Sequence, residues 1–81
     1  MYLTIRLFAS LKDLVGSSTI KIHVPVSASV ETLLSTLIQE YPVLEASINT
    51  VIVAVNQKYT DPDQTLNSDD EIVLFPPVSG G

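Results

Sequence analysis

The chain is 81 residues long and nearly half hydrophobic, with four basic residues against nine acidic ones and a net charge of −5. Four cations cannot form a phosphate-binding face, which argues against nucleic acid, whereas the negative balance admits a basic protein partner. The absence of cysteine removes disulfides, iron–sulfur ligation and thiolate nucleophiles, and it fits a reducing compartment.

Tyr2 to Phe8 alternates, with Leu3, Ile5 and Leu7 on one side and Thr4, Arg6 and Phe8 on the other, the period of a strand. Ala9 to Val15 has mixed spacing and predicts one helical turn, after which Gly16 permits positive φ. Thr19 to Val24 alternates again, placing Ile20, Ile22 and Val24 inward, and Pro25 closes it. These two strands predict an N-terminal hairpin. Ser29 to Tyr41 predicts the main helix, because Val30, Leu33, Leu34, Leu37, Ile38 and Tyr41 form one continuous apolar stripe. Ser29 is a good N-cap, Glu31 suits the positive end of the helix dipole, and Pro42 ends the helix. Burial of each large aliphatic in that stripe stabilises by about 1.5–3 kcal/mol, so the stripe reads as core.

Val43 to Thr50 reads as a connector with a helical turn near Leu44 to Ala46. Val51 to Val55 is apolar on both faces and belongs inside a sheet. Asn56-Gln57 predicts a tight turn into a short return strand at Lys58 to Thr60, and Leu66 plugs the core from a later turn. Ile72 to Phe75 is the last strand, stopped by Pro76 and Pro77, which have no N–H to give to a ladder. The element order predicts an α+β roll, a mixed sheet with one main helix packed on one face. A domain of residues 1–75 is expected, with residues 76–81 as an extended tail. The chain contains no apolar run near the ~20 residues of a membrane span and no signal-peptide layout at its start, so a cytoplasmic protein without membrane association is expected.

Few residues inside the domain carry a chemical signature. His23 lies on the outer side of a strand with no nucleophile nearby, and reads as a surface histidine. Asp61, Asp63, Asp69, Asp70 and Glu71 lack the spacing of a calcium loop and read as solvated turns. No phosphate loop, metal-ligand cluster or catalytic triad pattern is present in the sequence. The tail remains. Pro76 and Pro77 form a stiff root, Val78 and Ser79 follow, and Gly80 and Gly81 have no Cβ to obstruct a narrow channel. Six extended residues reach about 20 Å, far enough to bring the carboxyl of Gly81 into a partner's pocket. Two readings stand at this point, a presented carboxyl and an ordinary frayed end. A carboxylate is a poor acyl donor until ATP converts it to an acyl adenylate, so the first reading requires an activating enzyme. Phe8, Phe75 and Tyr59 also have two readings. They are either the apolar centre of an interface on the sheet face that one helix leaves open, or rings that bend into the core.

The ending Phe75-Pro76-Pro77-Val78-Ser79-Gly80-Gly81, the opening Leu7-Phe8-Ala9-Ser10-Leu11-Lys12-Asp13-Leu14-Val15-Gly16 and the middle Val53-Ala54-Val55-Asn56-Gln57 resemble the small subunits of molybdopterin synthases along the whole chain. The resemblance implies a ubiquitin-like β-grasp fold and a non-catalytic sulfur carrier in molybdenum cofactor biosynthesis, part of a heterotetrameric synthase. It implies that a ubiquitin-activating-enzyme-like adenylyltransferase uses ATP to adenylate Gly81, and that a sulfur donor converts it to a thiocarboxylate. It further implies that the tail, Pro76 to Gly81, threads into the large subunit, which supplies the catalytic groups and where the sulfur passes to cyclic pyranopterin monophosphate. No cofactor or metal is implied on this chain itself. In such proteins the aromatic beside the tail helps to form the subunit interface, here Phe75; Phe8 matches the opening motif, while Tyr59 stands where an aliphatic or variable residue is usual. A thiamine-type sulfur carrier, a ubiquitin-like modifier joined to lysines through Gly81 and a plain interaction domain are the alternatives.

Overall fold

The computed structural model describes residues 1–77. Five strands form one mixed sheet: β1 (Tyr2–Leu7), β2 (Thr19–His23), β3 (Ile52–Val55), β4 (Lys58–Tyr59) and β5 (Ile72–Phe75), in the spatial order β2-β1-β5-β3-β4. β1 and β5 run parallel; every other neighbouring pair is antiparallel. The last strand is therefore central, and the tail leaves from the middle of the sheet.

Helix α2 (Val30–Glu40) covers one face of this sheet. Its N-cap is Ser29, whose Oγ accepts the Thr32 N–H at 3.2 Å, as expected of a serine before an apolar stripe. Leu33 and Leu37 are fully buried against Leu3, Ile5, Leu7, Ile72 and Leu74. The helix ends at Tyr41, whose N–H still reaches the Leu37 carbonyl before Pro42 begins a short 3-10 turn, Pro42–Leu44. Leu66 is 1% exposed and fills the core from an irregular segment. This arrangement is the β-grasp expected above.

The helices differ from expectation in two ways. The segment after β1 is a full helix, α1 (Ala9–Val15), rather than one turn. Leu11 anchors it in the core, and Gly16 closes it at φ 87° with its N–H on the Lys12 carbonyl at 2.8 Å. The stripe of α2 also divides: Leu34 and Ile38 are only half-buried and line an open groove of about 580 Å³ beside Val51 and Val53.

The turn after β3 has Asn56 at φ 53° and Gln57 at φ 69°. Positive φ at both central residues is what a two-residue hairpin needs to match strand twist. The Asn56 side chain donates to Asp70 Oδ1 and accepts from the Glu71 N–H, each at 2.9 Å. Asp70 Oδ2 in turn accepts the Asn67 N–H at 2.8 Å. Asp70 thus ties a turn to the start of β5 and is more than a solvated charge, while Asp61, Asp63, Asp69 and Glu71 are exposed as expected.

Candidate functional site

The uncovered face of the sheet is built by strand register. Alternation in β1 and β5 turns Ile5, Leu7, Ile72 and Leu74 to the helix side, leaving Arg6, Val73 and Phe75 on the other. Pairing then sets Thr19, Arg6, Val73, Ala54 and Tyr59 in one row across all five strands. Phe75 stands opposite Ile52 in the adjacent row.

The three aromatics singled out from the sequence lie around the last strand. The rings of Tyr59 and Phe75 are tilted at 59°, with centroids 6.4 Å apart, within the range of favourable aromatic pairs. They come from β4 and β5 and meet across β3. Ala54, the β3 residue paired with both Tyr59 and Val73, is 8% exposed although its strand position faces away from the helix. Its single methyl leaves room for the larger rings. Tyr59 itself is 77% exposed, whereas Phe75 is half-buried.

Phe8 is 45% exposed and caps α1 in an extended conformation. Its N–H donates to the Leu74 carbonyl at 3.1 Å, which fastens it beside the exit of the tail. The next residue, Ala9, has φ 53°, a left-handed conformation unusual for alanine. That turn of the backbone lets the chain leave β1 for α1 directly after Phe8. The Arg6 guanidinium carbon lies 5.7 Å from the Phe8 ring centroid, so the Phe8 side chain is on the same side of the sheet as Arg6.

Pro76 is half-buried and Pro77 exposed at the root of the tail. Val78, Ser79, Gly80 and Gly81 lie outside the described residues. His23 packs against Tyr2, centroids 4.8 Å apart, at the far end of the same face, away from Phe75. Arg6, Val73, Ile52 and Ala54 join the three aromatics on the open face, though the sequence did not single them out. Arg6 shares its alternation with Phe8, but its place beside Val73 depends on a pairing between the two ends of the chain.

Together these residues form a largely apolar surface that contains an aromatic pair, at the base of a Pro-Pro-rooted tail. Such a surface suits burial against another protein. Residues 5–81 match the ThiS family. The chain is 40% identical to the molybdopterin synthase sulfur carrier subunit of Dictyostelium discoideum, over 95% of this chain and 93% of the relative. The crystal structure of SAMP1 from Haloferax volcanii superposes with a TM-score of 0.89 at 30% identity, over 100% of both chains. Subunit 1 or 2 of the molybdopterin-converting factor from Helicobacter pylori, solved as a complex of the two subunits, superposes with a TM-score of 0.71 at 26% identity, again over 100% of both chains.

Proposed function

The chain belongs to the ThiS family, and from that premise we propose that it is the sulfur carrier subunit of a molybdopterin synthase. Gly81 is the reacting residue. An adenylyltransferase uses ATP to form the acyl adenylate of its carboxyl group. Sulfide-level sulfur from a donor attacks the acyl carbon, AMP leaves, and a thiocarboxylate remains. The loaded tail, Pro76 to Gly81, then enters the active site of the large subunit and delivers sulfur to cyclic pyranopterin monophosphate. Two deliveries complete the dithiolene. The carrier holds no cofactor, acts in the cytoplasm and supplies none of the catalytic side chains; those belong to the large subunit.

The observation that carries this reading is the aromatic face at the foot of a Gly-Gly tail. Phe75 ends the central strand and pairs with Tyr59. A partner docked on that face lies beside the root of the tail at Pro76. Chemistry on the terminal carboxyl also fits a chain without cysteine, in which no side chain can hold the sulfur as a persulfide. The experiment is reconstitution: adenylyltransferase, ATP and sulfur donor first, with mass analysis of the C-terminal peptide, then the large subunit and precursor, with molybdopterin as the readout. Loading without molybdopterin formation would assign the chain to another sulfur pathway, such as that of thiamine.

The likeness to SAMP1 favours a second reading, conjugation of Gly81 to lysines of other proteins. Isopeptide-linked ladders in native cells, in place of a C-terminal thiocarboxylate, would establish it.

A further inference from the structure

Arg6 stands at a boundary. In its row it has Val73 on one side and Thr19 on the other, between the apolar part of the open face and the polar edge strand. Its guanidinium lies over the Phe8 ring. A guanidinium within cation–π range of a ring still has N–H groups to donate, and their fork suits a carboxylate.

Most of the acidic residues are elsewhere. Asp13 is on α1, and Glu31 and Glu40 are on α2. Glu45, Asp61, Asp63, Asp69 and Asp70 are in turns, and Glu71, just before β5, shares the open face by alternation but lies beyond Val73, on the side of Arg6 away from Phe8 and Phe75. The rows containing Arg6 and Phe75 hold no carboxylate. An acidic chain therefore presents a basic group beside its apolar patch, so net charge is a poor guide to the partner of this face. When that patch is covered, Arg6 loses water, and a desolvated guanidinium without an acceptor is costly. The covering surface has to supply one.

We propose that Arg6 is a specificity residue that takes a carboxylate of the large subunit, whose contact surface is apolar opposite Phe75 and Tyr59 and acidic opposite Arg6. This rests on the carrier reading above.

The test is the affinity of the full chain for the large subunit from the same organism, measured by calorimetry at low and moderate salt. R6Q, R6K and R6E are compared with F75A, and thermal melts confirm that each variant folds. R6Q is expected to weaken binding about tenfold and R6E about a hundredfold at low salt, with R6K in between wild type and R6Q. The salt dependence of the unaltered chain should largely disappear in R6Q. Binding of R6Q and R6E within about twofold of wild type, with F75A clearly weakened, would overturn the role of Arg6 and leave the carrier reading standing. Weaker R6Q binding with unchanged salt dependence would also overturn it, because Arg6 would then act only by holding Phe8. If the unaltered chain does not bind the large subunit at all, the carrier reading falls and the inference with it.

Discussion

Tyr59 and Phe75 meet ring to ring across β3, 6.4 Å apart, on the face of the sheet opposite α2. Tyr59 is 77% exposed, so its ring contributes little to the core and is available to a partner. Tyr59→Ala should leave the melting temperature almost unchanged. Phe75→Ala should cost less stability than the ~3–5 kcal/mol of a fully buried phenylalanine. Both should weaken the complex with the large subunit, Phe75→Ala the more strongly, by about 2 kcal/mol or more if it is a hot spot. Calorimetry of the complex and melts of the free chain separate the two effects. Unfolding of free Phe75→Ala, with normal affinity in the folded fraction, would make this ring a core residue.

The tail separates reach, fit and chemistry. One residue added after Gly81 should leave the fold intact but converts the carboxyl proposed to react into a peptide bond, so sulfur loading should be lost. Deleting Gly81 preserves a carboxyl but shortens the reach by about 3.5 Å, and a misplacement of ~1 Å can already cost about 10²-fold. Gly80→Val keeps length and carboxyl while restricting the backbone and crowding a channel. All three variants should melt like the unaltered chain. Molybdopterin formation by the extended variant, with the extra residue still attached, would exclude a reacting carboxyl at Gly81.

The two leucines of α2 should not behave alike. Leu37 is fully buried, and Leu37→Ala should cost about 2–5 kcal/mol in denaturant unfolding. Leu34 is half-buried at the groove, where removal of its side chain leaves an open surface in place of a closed cavity. Its replacement by alanine should cost clearly less. Equal losses would mean that the groove closes over Leu34 in solution.

Asn56 has two tasks, and substitution can separate them. Asn56→Ala removes both side-chain hydrogen bonds and strains the turn at φ 53°, for a loss of about 1–3 kcal/mol. Asn56→Gly removes the same bonds but accepts positive φ, so it should cost less. If alanine and glycine are equally destabilising, the hydrogen bonds to Asp70 and Glu71 carry the whole effect.

The sequence by itself determined the inward faces of β1 and β2 and the central leucines of α2. Alternation at Leu3, Ile5 and Leu7, the stripe at Leu33 and Leu37, the cap at Ser29 and the turn at Asn56-Gln57 are local patterns, and each has one favourable local conformation. It also carried the stop of the last strand at Pro76 and Pro77, which have no N–H to give to a ladder. Tertiary structure alone decided what stands beside what. The parallel pairing of Ile5 with Ile72 places the last strand in the centre, and no local period encodes a contact between the two ends of a chain. That pairing sets Arg6 beside Val73, fastens Phe8 to Leu74 and turns separate aromatics into one surface. The length of α1 and the task of Asp70 were hidden for the same reason: Leu11 and Asn56 stabilise them through contacts made only after the sheet has closed.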